Sequence, residues 1–192
     1  SSVLGWRLIN PKMAPEWTND LGKTTEDVAV ELGITRSSMD FYTLRSHRRA
    51  AAAWDAGVHE GFSFPVVTPD GTLRRDESVR PDVSTDRLSK LSSAYTETGP
   101  LTEGNSAPLS DGALAALVGT EEHAERLRVT PLGEVLGSST VAVDPQRWSL
   151  GAVPAIHDLL EKFGLDSESV NLWEINEPFA AVVLSVLHHL PG

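Results

Sequence analysis

Asn171-Leu-Trp-Glu-Ile-Asn-Glu-Pro-Phe-Ala180 decides how the chain reads. Asn171 to Ile175 reads as a short, mainly apolar strand, and Pro178 suits the first turn of a helix, where its missing N–H costs nothing. The helix that follows, from Pro178 to Leu190, is apolar nearly all round from Phe179 to Leu187, which predicts burial on most sides. A strand leading straight into a buried helix is the unit of a layered α/β fold.

Working upstream, Val153, Ile156, Leu160 and Phe163 mark one face of a helix closed by Gly164. Leu132 to Val143 is strand-like, Thr120 caps a helix through Leu127, and Ala113 to Val118 reads as a short buried strand between two glycines. Before Pro100 the texture is different. Thr24 is the predicted cap of a helix stopped by Gly33, with Asp27 at the reciprocal capping position. Thr35 caps a longer helix that ends at Gly57 and buries Phe41, Leu44, Ala51 and Ala52. A hairpin turns at Asp70-Gly71, and Asp76 to Pro100 is polar loop. Two indoles, Trp6 and Trp17, hold down an irregular opening segment. The expected fold is α/β, with a helical and loop-rich first part and a boundary near Pro100.

The chain's 192 residues carry a net charge of -11 and no cysteine. The acidity argues against nucleic acid or an anionic membrane as partner, because affinity for phosphate rests on basic side chains. The longest apolar run is far below the roughly 20 residues that a bilayer demands, and no basic and apolar leader opens the chain, so a soluble, cytoplasmic protein is expected. Without cysteine the chain has no disulfide, thiolate metal site or thiol nucleophile. His188 and His189 are adjacent and diverge on a helix, where ligands need i, i+3 or i, i+4 spacing, so no metal is expected.

Six segments in order resemble the thiolase family: Arg45-Ser-His-Arg-Arg-Ala50, Val79-Arg-Pro-Asp82, Leu88-Ser-Lys-Leu91, Gly104-Asn-Ser-Ala-Pro-Leu-Ser-Asp-Gly112, Gly151-Ala-Val-Pro-Ala155 and the Asn-Glu-Pro-Phe-Ala stretch ending at Ala180. The resemblance implies an incomplete thiolase-like layered fold. Residues 1–99 would be the loop domain, 100–128 the return into the first core half, and 129–192 the start of the second. It implies an acyltransferase segment that acts on coenzyme A thioesters in lipid metabolism. The alternatives are a non-catalytic module that binds acyl-CoA or a partner, and a cysteine-free lyase of the same superfamily. The family's nucleophilic cysteine, its Gly-His-Pro histidine and its second cysteine have no counterpart among these residues.

By the same resemblance, Asn176 helps form an oxyanion hole through a bound water; the residue itself equally suits the N-cap of the last helix. Gly104 and Asn105 would border coenzyme A. Phe179 would line the pantetheine channel, or else belong to the core. Departures from the pattern weaken the expected binding of acyl-CoA to the millimolar range, about 4 kcal/mol. Glu103 and Ala107 replace alanine and a hydrogen-bonding serine, Pro178 replaces alanine, Ser92 stands where arginine is common, and Asp20-Leu21 stands where several relatives have His-Met. Arg74, Arg75 and Arg80 would meet the 3′-phosphate or form a solvated loop, and His47 is read as an exposed or capping residue. Finally, the strands that cover the last helix in the family have no counterpart here, so that helix is expected to be uncovered. The expected partner is a second copy or a complementing thiolase-like chain.

Overall fold

The computed structural model describes residues 9–190. Among these are six α-helices: α1 (Leu21–Glu31), α2 (Arg36–Asp55), α3 (Thr85–Ser89), α4 (Glu121–Leu127), α5 (Ala152–Phe163) and α6 (Ala180–His189). One antiparallel hairpin pairs β1 (Val66–Thr68) with β2 (Gly71–Leu73). Trp6 lies outside the described residues, and Trp17 is exposed.

Local chemistry explains most helix ends. Thr35 accepts from the Ser38 N–H and starts α2, and Thr120 accepts from the His123 N–H and starts α4. Gly33 and Gly57, at φ 66° and 72°, take the left-handed conformation that stops α1 and α2. The start of α1 differs from the sequence expectation. Asp20, rather than Thr24, is the N-cap, and its carboxylate accepts from the Gly22 N–H at 2.7 Å. Thr24 instead turns its hydroxyl back to the carbonyls of Asp20 and Leu21 within the helix. The hairpin also turns one residue earlier, at Pro69-Asp70, where the fixed φ of proline suits the second position of a turn.

The core forms where α1, α2 and the 3-10 turn Pro145–Leu150 close around α6. Ala29, Met39, Leu101, Phe179, Ala180, Ala181 and Val182 form one buried cluster. The α2 stripe that faces it is Met39, Asp40, Thr43 and Leu44, whereas Phe41 is exposed. Trp148 fastens the 3-10 turn, with its indole N–H donating to Thr24 Oγ1 at 3.0 Å, and Arg147 pairs with both oxygens of Glu31. The expectation that α6 lies uncovered is wrong. Ala180, Ala181, Val182, Val183 and Val186 are all buried, because these neighbours reach it from within the chain, and among its apolar residues only Leu187 is substantially exposed.

The three strands expected after Pro100 are not formed. Residues 113–118, 132–143 and 171–175 run without regular structure and with no ladder partner among the described residues. Leu114 is 92% and Val118 81% exposed. A strand exists only when another chain segment satisfies its N–H and C=O groups, and the described chain supplies none. What remains is an incomplete α/β fold: a helical body with extended segments that have strand sequences. No helix of the described residues is long and apolar enough to cross a membrane.

Candidate functional site

The segment after Pro100 and the segment before α6 lie side by side. Ser106 and Phe179 form an antiparallel bridge. The Ala180 N–H donates to the Asn105 carbonyl at 3.0 Å and the Ala107 N–H to the Pro178 carbonyl at 2.9 Å. Two motifs more than 70 residues apart are thereby joined through their backbones. Beside this seam lies a cavity of about 270 Å³, bordered by Tyr42, Ser46 and His47 of α2, by Arg80, by Gly104 to Pro108, and by Glu177.

Asn105 is buried and its side chain is fully engaged. Oδ1 accepts from the Thr102 N–H at 2.9 Å, while Nδ2 donates to Asp40 Oδ1 and to the Pro100 carbonyl, both at 3.2 Å. Asp40 is also gripped by Arg36, whose Nε lies 2.8 Å from Oδ2. Loss of the Asn105 amide would leave buried groups unpaired, which costs about 1–3 kcal/mol each. Gly104 is required by space, since a Cβ there would stand 2.4 Å from Leu91 Cδ1 and 2.7 Å from the buried Leu88 Cδ2. These two residues build the wall of the cavity.

Phe179 turns away from the cavity into the core, edge-on to Tyr95 at 5.6 Å and to Trp148 at 6.1 Å between ring centres. It is also the residue at the N-cap position of α6, which no side chain caps by a hydrogen bond. The capping alternative for Asn176 therefore fails: α6 starts at Ala180, and Asn176 is exposed three residues before its N-cap. Pro178 precedes the helix and does not occupy its first turn. Asn176 does not border the cavity.

Glu177 is not among the site residues expected from sequence, yet both of its carboxylate oxygens are held by α2. The Tyr42 hydroxyl donates to one of its oxygens and the Ser46 hydroxyl to the other at 2.7 Å. Partial burial and then the neighbouring carboxylate hold the Tyr42 phenol well above its ordinary value of 10.0. Arg45 lies over the Tyr42 ring at 5.2 Å. His47 is half-buried rather than exposed, and its Nδ1 accepts from the Arg80 N–H at 3.2 Å. Desolvation, then the Arg80 charge, lowers its pKa below 6.5, which suits a neutral ring acting as acceptor. Sequence contained a clue, since Ser46, His47 and Glu177 all fall within motif segments. The pairing of Ser46 with Glu177 across 131 residues had no sequence signal.

The three arginines do not form one cluster. Arg75 pairs with Asp55 at 2.7 Å, whereas Arg80 reaches the Gly104 carbonyl at 3.5 Å. The His188 and His189 rings are 5.3 Å apart, and His189 Nδ1 lies 2.8 Å from the Ser185 carbonyl. The described residues contain no group of three side chains able to hold a metal ion.

The family model "Thiolase, N-terminal domain" matches residues 12–122, and "Thiolase, C-terminal domain" matches residues 129–191. The chain belongs to the thiolase family. It is 34% identical over 195 residues to the Escherichia coli 3-oxoadipyl-CoA/3-oxo-5,6-dehydrosuberyl-CoA thiolase, an alignment that covers 98% of this chain and 49% of the relative. To the mouse mitochondrial 3-ketoacyl-CoA thiolase it is 36% identical, covering 86% of this chain and 43% of that protein. The human mitochondrial 3-ketoacyl-CoA thiolase crystallised with CoA superposes with a TM-score of 0.87 at 32% identity, over 93% of this chain and 45% of that one. The dimeric peroxisomal thiolase of Saccharomyces cerevisiae gives the same TM-score at 32% identity, over 93% and 46%. The chain thus spans about half the length of the curated thiolases it matches.

Proposed function

We propose that this chain is the part of a thiolase-type acyltransferase that flanks a coenzyme A thioester, and that by itself it does not catalyse thiolysis or condensation. In this reading residues 1–99 form the loop portion over the substrate, 100–128 return into the first core half, and 129–192 open the second. The observation that carries it is the seam between Asn105 to Ala107 and Pro178 to Ala180, which joins two motif segments of the family into one wall. Gly104, Asn105 and Phe179 keep that wall in shape. The thioester would lie on its outer side, and Asn176, exposed and without a hydrogen bond of its own, would be free to orient a water toward a developing oxyanion.

The acyl-transfer step itself needs a thiolate that attacks the thioester carbonyl and expels coenzyme A. The sequence has no cysteine to supply it. A non-catalytic, partner-binding role is favoured by one observation: Glu103, exposed next to Gly104, sets a negative charge beside the loop, where it opposes the anionic phosphates of coenzyme A. The expected result for the purified chain is no release of acetyl-CoA from acetoacetyl-CoA plus coenzyme A, with calorimetric affinity for coenzyme A in the millimolar range, about 4 kcal/mol. Turnover well above background would defeat the incomplete-acyltransferase reading and point to the cysteine-free lyase. Micromolar binding would defeat the repulsion argument.

A further inference from the structure

We propose that Tyr42 and Ser46 of α2 are positioning residues for Asn176, acting through the Glu177 carboxylate. The inference deepens the proposed function and rests on it for the role of Asn176, but its structural core is independent.

Tyr42 and Ser46 are four residues apart on α2, so their side chains sit one above the other on the same face. Each donates a hydroxyl proton to a different oxygen of Glu177. A carboxylate gripped at both oxygens is fixed in plane as well as in place. This matters because the chain around it has little else to hold it. Residues 171–177 make no backbone hydrogen bond to another segment, and the seam begins only at Pro178. Asn176 makes no side-chain hydrogen bond, and the nearest anchored group on its own strand of chain is Glu177. The same helix also fixes the other side of the seam. Asp40 accepts from the Asn105 amide, and His47 accepts from the Arg80 N–H while the Arg80 guanidinium reaches the Gly104 carbonyl. Two adjoining sides of α2 therefore register both motif segments against each other, Asp40 and His47 on the Asn105 side and Tyr42 and Ser46 on the Asn176 side.

The test uses the full chain labelled with nitrogen-15. The double variant Tyr42→Phe/Ser46→Ala should shift and broaden the Asn176 side-chain amide signals, while the Ala107 and Ala180 backbone amides of the seam keep their positions. Ser46→Thr, which retains the hydroxyl, should restore the wild-type Asn176 signals when set against Ser46→Ala. As an independent readout, Glu177→Gln should lower the alkaline titration of Tyr42 toward that of a free phenol, followed against a Tyr95→Phe background so that only one tyrosine reports. Asn176 signals that superimpose on wild type in the double variant, or a Tyr42 titration unmoved by Glu177→Gln, would overturn the proposal. Acetyl-CoA added at millimolar concentration separates the two levels. Perturbation of Asn176 by the variants with no response to acetyl-CoA upholds the tether and defeats the functional reading, whereas a response to acetyl-CoA that the variants do not alter defeats the tether alone.

Discussion

At the scale of single residues, the site is held by polar groups that keep one another in a defined state. His47 is the clearest. Its Nδ1 serves as an acceptor for the Arg80 N–H, a role available only to the neutral ring, and burial and the Arg80 charge both disfavour protonation, against a smaller opposing effect from Glu177. The folded pKa therefore lies below the unfolded value of 6.5, so the unfolded chain takes up a proton first as the pH falls. The stability contributed by neutral His47 is complete above the unfolded value and is lost as pH drops through it toward the lowered folded value. Urea denaturation should show a midpoint that declines between about pH 7 and pH 5. In His47→Gln that decline should be smaller, and an equal decline in the variant would refute the assignment.

Among the elements, α6 shows how burial depends on neighbours rather than on composition. Its apolar residues surround the whole helix, yet only one flank stays open. Val183 is 3% and Leu187 43% exposed. Val183→Ala should therefore cost about 2 kcal/mol through lost burial and a residual void, while Leu187→Ala should change stability by less than about 0.5 kcal/mol, the range typical of surface positions. Equal losses at the two sites in chemical denaturation would show that α6 does not sit as described. The amphipathic α5 contrasts with it. Its apolar face borders an open groove of about 230 Å³ lined by Leu136, Ile156, Leu160, Phe163 and Trp173, so burial there is partial.

For the whole molecule, surface area is the decisive quantity. The chain exposes 14215 Å², whereas a folded monomer of 20.7 kDa exposes roughly 8900 Å². The excess of roughly 5300 Å² is at the scale of a large obligate interface. The strand-like segments contribute to it, since Leu114, Leu117, Val118, Leu132, Val135 and Leu172 all face solvent, whereas most apolar residues of α6 are buried. Self-association, or capture of a complementing thiolase-like chain, is the expected consequence. Light scattering over a concentration series should show growing mass together with binding of a hydrophobic dye, and Leu114→Lys/Leu117→Lys should reduce both. A monodisperse monomer that binds no dye would refute this, and would mean that the strand-like segments find partners within the chain.

Sequence alone determined several features that depend on neighbouring residues, though not the Asp20 cap of α1 or the place of the hairpin turn: the Thr35 and Thr120 caps, the glycine stops at Gly33, Gly57 and Gly164, the face of α5, and the ordered motifs that resembled thiolases. Each is fixed by side chains within a few positions of the backbone they act on, so local pattern suffices. Tertiary structure decided everything that needs a partner from afar. The strand sequences at 113–118, 132–143 and 171–175 did not become strands, because a ladder requires a second segment to receive its hydrogen bonds. Phe179 became core because Tyr95 and Trp148 arrive from other parts of the chain, Asn105 became a buried strut because Asp40 and Thr102 converge on it, and Glu177 acquired its place from α2. Periodicity shows that a side chain is suited to burial or pairing, but only the folded chain supplies the group it meets.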